Sequence, residues 1–204
     1  MPHYFDENPK TASDRHEIAC RFNGVNFSLL SDSDVFSKKQ VDFGTSLLLN
    51  TAIVDLKARG VHEGRLLDLG CGYGVVGVVM QRAFHKMDVV LSDVNQRALA
   101  LARENAKRNY VERVAVTASK GWEKLDGQFD VVLTNPPVRA GKETVFSFYE
   151  GACERLSVGG LLYVVLQKKQ GAPSSKAYIE TLFGNCEIVE KDAGYWIMRT
   201  EKRR

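Results

Sequence analysis

Apolar runs rich in β-branched residues, near 65–69, 88–93, 112–117, 129–134 and 160–167, alternate with helical patterns near 74–85, 95–109 and 142–156. A strand, a helix and a second strand return to one sheet only through a right-handed crossover, so neighbouring strands become parallel and helices cover both faces. A further helical pattern near 174–183 leads to strand candidates at 186–191 and 194–200. Their link around Asp192–Ala193–Gly194 is too short for a crossover, so these two strands are expected to be antiparallel. Upstream, an amphipathic pattern runs from Ser46 to Leu56 and ends near Gly60, and strand-like runs 18–22 and 25–30 flank Asn23–Gly24, a strong hairpin signal. With 204 residues, 44% of them hydrophobic, the chain can fill one well-cored domain plus a small addition. The expected division is an N-terminal extension over 1–43 carrying the β-hairpin and an α/β domain over 44–204.

Ligands of such sheets gather outside the carboxyl ends of the strands, and the residues with chemical character cluster there. Strand 65–69 runs into Asp68-Leu69-Gly70-Cys71-Gly72-Tyr73-Gly74 and then a helix. Glycines permit positive φ and close approach of a ligand to the backbone, and the helix start offers free N–H groups. Gly72, Gly74 and Gly77 satisfy the dinucleotide pattern G-x-G-x-x-G, with Asp93 about 20 residues on where a ribose-binding acid belongs. Asp68 argues against a dinucleotide, because a carboxylate at this turn repels a pyrophosphate and attracts an ammonium group. S-adenosylmethionine (AdoMet), which has no phosphate and carries an ammonium and a sulfonium, fits better. A plain helix-capping role for Asp68 is the alternative.

The second feature is Thr134-Asn135-Pro136-Pro137, which ends the fourth strand. Neither proline can donate a backbone hydrogen bond, both have fixed φ, and Asn135 is pushed out of the α region by Pro136. A stiff turn that presents a side-chain amide oxygen and a bare carbonyl suits an –NH₂ group whose lone pair must be aimed. Ser119 and Lys120 follow the third strand, and Gln167 to Gln170 the fifth. Arg139, Lys142, Lys168 and Lys169 would ring the same rim with Lys38 and Lys39, and Lys202–Arg204 form a terminal basic cluster.

These residues resemble the class I AdoMet-dependent methyltransferases, and within them the small-subunit ribosomal RNA guanine-N2 methyltransferases in their single-domain bacterial form. The resemblance spans Val35-Phe36-Ser37, Asp42-Phe43-Gly44-Thr45, the glycine turn, Ser92 to Asn95, Asn135 to Lys142 and Gln167 to Gly171. It implies a Rossmann-like, mostly parallel seven-stranded sheet with a reversed last strand. It also implies AdoMet bound by Asp68, Gly70, Gly72, Gly74, Asp93, Asn95, Ser119 and Asn135, with Asp93 on the ribose hydroxyls and Asn95 or Ser119 near the adenine. Asp93-Val94-Asn95 could instead simply cap the next helix, with the ligand role favoured for Asp93. Asn135, Pro136 and Pro137 would hold the exocyclic guanine amine, and Phe36, Arg139, Lys142, Lys168 and Lys169 would bind RNA. Many amine-methylating relatives carry an aromatic residue after Asn-Pro-Pro. Here that position is Val138, which leaves Phe36 or the Arg139 guanidinium as the base-stacking group.

Composition narrows the classes. Cys20, Cys71, Cys153 and Cys186 are scattered, with no C-x-x-C pair, so neither a zinc site nor a disulfide framework is expected. No signal-peptide pattern or membrane-length apolar run is present, and a cytoplasmic enzyme is expected. A net charge of +3 permits a polyanionic partner without requiring one. The competing readings are methylation of adenine N6 or a protein glutamine amide, an NAD-dependent oxidoreductase, and a non-catalytic RNA-binding module.

Overall fold

The computed structural model describes residues 12–33, 35 and 40–204. The chain begins with β1 (His16–Phe22) and β2 (Val25–Ser31), an antiparallel hairpin. Its turn residues Asn23 and Gly24 both have positive φ, +48° and +79°, the two-residue geometry that matches the twist of the flanking strands. Next come α1 (Phe43–Ala58), β3 (Glu63–Leu69), α2 (Val75–Ala83), β4 (Lys86–Asp93), α3 (Gln96–Arg108), β5 (Val114–Ala118) and β6 (Phe129–Thr134). The chain ends with α4 (Lys142–Arg155), β7 (Leu156–Gln167), α5 (Ala172–Phe183), β8 (Glu187–Asp192) and β9 (Tyr195–Glu201). The first helix starts before Gly44, because Asp42 caps it by accepting the Thr45 N–H at 3.1 Å.

The seven strands β3 to β9 form one sheet in the order β5-β4-β3-β6-β7-β9-β8. All neighbouring pairs from β5 to β7 are parallel, while β9 runs antiparallel to both β7 and β8. This is the sheet implied by the resemblance, with its last strand reversed. That β9 inserts between β7 and β8 is information the local sequence does not carry. The chain winds outward from β3 to β5 and then returns to place β6 on the other side of β3, so strand order reverses between β3 and β6 and a crevice opens at their carboxyl ends.

Alternation along the strands sorts the core into two halves. Leu66, Val131, Leu133, Tyr163 and Val165 face a cluster formed with α1, α2, α3 and the hairpin. Leu67, Val132, Leu162, Val164 and Leu166 face a cluster formed with α4 and α5. Strands buried on both faces must be apolar at nearly every position, which is why they read as continuous runs. Asp55 of α1 is tied to the sheet by the Tyr163 hydroxyl and by Arg199, whose guanidinium donates to its two oxygens at 2.7 and 2.9 Å. Burial would raise the Asp55 pKa, but those partners hold it below the usual carboxylate value. No helix among the described residues is long and apolar enough to cross a membrane.

The hairpin is joined to the sheet through asparagines of α3. Asn105 accepts the Leu30 N–H at 2.7 Å and donates to the Leu30 carbonyl at 2.9 Å. Asn109, one turn later, does the same at Ser28, at 3.1 and 2.9 Å. Two amides on one helix face thereby pair the outward backbone groups of an edge strand, as a third strand would. Asn105 also donates to the Tyr73 carbonyl at 2.9 Å, linking the hairpin to the glycine turn. Asn105→Ala is expected to destabilise the protein by roughly 2–4 kcal/mol, since it leaves the buried Tyr73 carbonyl and the partly buried Leu30 N–H and carbonyl without this partner. Thermal or urea unfolding of the two proteins checks this, and a loss under about 0.5 kcal/mol contradicts it.

Candidate active site

A cavity of about 730 Å³ occupies the crevice, walled by the glycine turn, the ends of β4 to β7, the start of α1 and Tyr195. The glycine turn hangs from the end of β4. The N–H groups of Gly70 and Cys71 both donate to the Ser92 carbonyl, at 2.8 and 2.9 Å, and Gly72 N–H donates to Asp93 Oδ2 at 2.8 Å. Gly72 has φ +54°, and a Cβ there would meet no protein atom within 4 Å, so its backbone is bare toward the cavity. Gly74, at φ +86°, does different work. A Cβ would lie 3.0 Å from Ala102 Cβ, and Gly74 packs against α3 and is not part of the wall. Gly77 lets α2 rest on the sheet, since a Cβ there would lie 1.9 Å from Leu91 Cδ2.

Two carboxylates sit behind this turn. Asp68 is only 2% exposed and accepts the Gly77 N–H at 2.9 Å, so it does cap α2 while also lining the cavity. Burial pushes its pKa up to about 7, opposed by the Gly77 hydrogen bond and reinforced by the negative charge of Asp93. Asp93 is raised as well, chiefly by burial, although it accepts backbone N–H groups from Gly72 and Asn95. Neither has an ion-pair partner among the described residues. Cys71 also lines the cavity, and burial pushes its thiol well above the usual value, so it is not a thiolate nucleophile at neutral pH.

Asn95 is fully buried and caps α3 by accepting the Ala98 N–H at 3.0 Å. It is not on the cavity wall, and the capping alternative describes its position. Ser119 is on the wall, but its hydroxyl donates to the Gly121 carbonyl at 2.9 Å and accepts the Lys124 N–H at 3.0 Å, which shapes the loop after β5. Asn135 donates from Nδ2 to Thr45 Oγ1 at 3.0 Å. That contact leaves Oδ1 without a partner among the described residues, and the Asn135 side chain is partly exposed on the wall. The Pro136 carbonyl is not bare, as the sequence suggested: it accepts the Val138 N–H at 2.8 Å. Backbone closing after the second proline into the short 3₁₀ turn Val138–Ala140 takes one of its two lone pairs.

The basic residues separate. Arg139 is exposed and lines the cavity. Lys168 and Lys169 are exposed on a 3₁₀ turn directly after β7, between the wall residues Gln167 and Gln170. Lys142 lies off the wall, its ammonium 4.9 Å from the centroid of the Phe146 ring. The terminal cluster does not join this rim. Because β9 starts at the cavity with Tyr195 and runs antiparallel to β7, it delivers Lys202 to the opposite end of the sheet, where its ammonium donates to the Glu154 carbonyl at 3.1 Å. Phe36, Lys38 and Lys39 lie outside the described residues. Tyr195 is a wall residue that the sequence reading missed. The available signal was the reversed strand, whose beginning must meet the carboxyl ends of its parallel neighbours.

The model of the methyltransferase small domain family matches residues 26–199. The chain belongs to this family. It is 40% identical over 202 residues to the Bacillus subtilis protein YbxB, covering 98% of each chain. It is 32% identical over 174 residues to the ribosomal RNA small subunit methyltransferase C of Serratia proteamaculans, covering 83% of this chain and 47% of that one. A solved T. thermophilus structure, a 16S rRNA N2 G1207 methyltransferase in complex with AdoMet and guanosine, superposes with a TM-score of 0.85 at 26% identity, covering 96% of this chain and 52% of that chain. This chain thus spans about half the length of its relatives named as ribosomal RNA methyltransferases, and its fold is the class I methyltransferase fold.

The elevated Asp68 pKa has a signed consequence. An unfolded Asp ionises near pH 4, whereas folded Asp68 ionises near 7, so between those values the folded protein holds the extra proton. This contribution to stability is fully present below about pH 4, falls as pH rises to 7 and is level above. Asp68→Asn keeps an acceptor for Gly77 and removes the titration. Relative to wild type, the ligand-free variant is expected to gain on the order of 3 kcal/mol in stability between pH 5 and pH 8. Unfolding curves at both pH values check it, and parallel pH profiles for the two proteins contradict it.

Proposed function

We propose that this chain transfers the methyl group of AdoMet to the exocyclic N2 amine of a guanine in small-subunit ribosomal RNA. The observation that carries the reading is the fixed amide of Asn135. Thr45 holds its donor end, so its acceptor end remains for an incoming amine beside the paired carboxylates. The T. thermophilus relative, with AdoMet and guanosine bound, supports both ligands.

The residues present fit AdoMet. Two carboxylates at the glycine turn, Asp68 buried and Asp93 partly so, have no ion-pair partner among the described residues and favour a ligand that brings positive charge and no phosphate. Asp68 also places a carboxylate at the glycine turn, where a dinucleotide would bring its negatively charged pyrophosphate. This weighs against the oxidoreductase reading. Gly70 and Gly72 give the ligand close access to the backbone, Asp68 faces its positive end, and Asp93 has lone pairs left for the ribose hydroxyls. When bound, AdoMet supplies an electrophilic methyl group on a sulfonium.

The remaining work falls to the chain. A guanine N2 lone pair is conjugated with the ring and is a poor nucleophile. Accepting one of its protons at Asn135 Oδ1, and a second at the free lone pair of the Pro136 carbonyl, favours a pyramidal nitrogen and fixes its direction. Because prolines and the Thr45 contact hold the turn, these acceptors are in place before the reaction and need little reorganisation. No covalent enzyme intermediate is needed, consistent with the neutral Cys71 thiol. The base must leave any stack to enter the cavity, and Lys168, Lys169 and Arg139 stand at its mouth where phosphates would pass.

Asn135→Ala is expected to lower single-turnover methyl transfer by about 10²-fold or more while AdoMet affinity changes little, because the lost acceptor acts as charge develops on the amine. Rapid-quench assays with labelled AdoMet, paired with calorimetry, read the two quantities. Equal turnover removes Asn135 from the chemistry. Replacing Lys168 and Lys169 together by Ala is expected to weaken RNA binding and reduce the slope of log affinity against log salt by roughly one to two units. RNA affinities at several salt concentrations test it, and a variant line lying on the wild-type line refutes the phosphate role. The methylated nucleoside itself is identified by mass spectrometry of ribosomal RNA from a strain lacking the gene after treatment with enzyme and labelled AdoMet. Finding N6-methyladenosine in place of N2-methylguanosine would sink the guanine assignment.

A further inference from the structure

We propose that Gln167 determines base specificity, its side-chain amide pairing with the N1–H and O6 of the target guanine while Asn135 holds the N2 amine. This inference rests on the guanine-N2 reading above and goes beyond it by naming the group that distinguishes the base.

Gln167 is the last residue of β7 and lines the cavity. Its Oε1 is buried and has no hydrogen-bond partner among the described residues. Several other buried or partly buried side-chain amides among the described residues are used structurally: Asn95 caps α3, Asn105 and Asn109 hold the hairpin, and Asn185 bonds the end of β9. Leaving a buried amide oxygen unpaired is costly. Such a group is retained at a site where something else completes it.

Strand geometry puts this amide in the right place. Thr134 of β6 is level with Val164 of β7, so Asn135 is level with Val165, and Gln167 lies two residues further toward the cavity mouth. Even spacing keeps Gln167 on the sheet face of Val165, whose side chain belongs to the α1 cluster. Asn135 reaches the same face, where it bonds Thr45 of α1. In the antiparallel pair β7–β9, Gln167 is directly opposite Tyr195, which places their side chains on one face. The Tyr195 ring packs against Gly44, where a Cβ would come within 2.5 Å of it, and lies 5.7 Å from the ring of Phe43. Asn135 and Gln167 therefore line one wall at successive heights, with the Tyr195 ring beside Gln167.

Guanine presents N2–H₂, N1–H and O6 in a row. An amide oxygen at the first position accepts from the amine, and a second amide supplies an acceptor for N1–H and a donor for O6. A site that reads a base by such bonds discriminates against an analogue lacking them, because its own polar groups are then left unpaired. The analogue that isolates Gln167 is 2-aminopurine. It keeps the 2-amino group and lacks both O6 and N1–H.

The test begins with wild-type protein acting on small-subunit ribosomal RNA. Absence of N2-methylguanosine in the product overturns the parent reading, and this inference with it, before any variant is made. Once the methylated nucleotide is mapped, kcat/KM is measured on RNA carrying guanine or 2-aminopurine at that position, for wild type, Gln167→Leu and Gln167→Glu. Wild type is expected to favour guanine by roughly 10- to 100-fold, the scale of two hydrogen bonds. Gln167→Leu is expected to abolish that preference with AdoMet affinity unchanged within about twofold. Gln167→Glu keeps the shape and one acceptor but loses the donor to O6, and is expected to fall between the two. A structural role alone would lower kcat/KM equally on both bases and leave the ratio at its wild-type value. Retention of the wild-type ratio by either variant overturns the assignment, as does a wild type that does not discriminate. If Gln167→Leu does not fold, the isosteric Gln167→Glu decides the matter by the same ratio.

Discussion

The site depends on how the end of one strand carries the turn that follows another. The Ser92 carbonyl receives N–H groups from both Gly70 and Cys71, and the Asp93 carboxylate receives that of Gly72. Without those bonds the turn after β3 would have several buried N–H groups unpaired, and a buried donor left unmade costs more than an average hydrogen bond contributes. The same arrangement holds a carboxylate beside Asp68, at an electrostatic cost that burial enlarges. The protein thus keeps two acids in a place that disfavours their charge.

Close approach of helices to the sheet explains the second feature, the position of α1 and α2 over the crevice. Gly77 admits Leu91 beneath α2, and Gly44 admits the Tyr195 ring beneath the start of α1. A side chain at either position would overlap its neighbour, Leu91 at α2 or the Tyr195 ring at α1, so something there would have to shift. In α1 the residue after Gly44 is Thr45, whose hydroxyl lies 3.0 Å from the Asn135 amide, so one helix start makes both contacts. Packing of α1 and orientation of the Asn135 amide are therefore linked. The glycine that makes the contact possible also belongs to the segment Asp42-Phe43-Gly44-Thr45, whose acid caps the helix.

The hairpin shows the same economy at the opposite border. An edge strand exposes unpaired backbone groups that invite association. Here β2 is paired by two side-chain amides one helical turn apart, and its apolar face completes the core shared with α1, α2 and α3. Since Asn105 also holds the Tyr73 carbonyl, the hairpin supports the glycine turn from behind.

Much of this was legible in the residues alone. Strands buried on both faces must be apolar throughout, so their positions and order in the chain were plain, and the short Asp192–Gly194 link required an antiparallel pair. That Asp68, Gly70, Gly72, Asp93 and Asn135 line the crevice was legible because each sits at or just after the carboxyl end of a strand. Three things were decided only by tertiary structure. Asn95 and Gly74 match a ligand-binding pattern in sequence, but their roles as helix cap and packing contact depend on what lies across from them. The Pro136 carbonyl looked free because prolines cannot donate, yet whether a carbonyl is taken depends on how the following turn closes. Most of all, the insertion of β9 between β7 and β8 is a pairing between segments distant in the chain, with no local signature. That pairing brings Tyr195 to Gln167 and carries Lys202 to the far end of the sheet. Local chemistry determines which residues can act in this protein; strand order determines which of them meet.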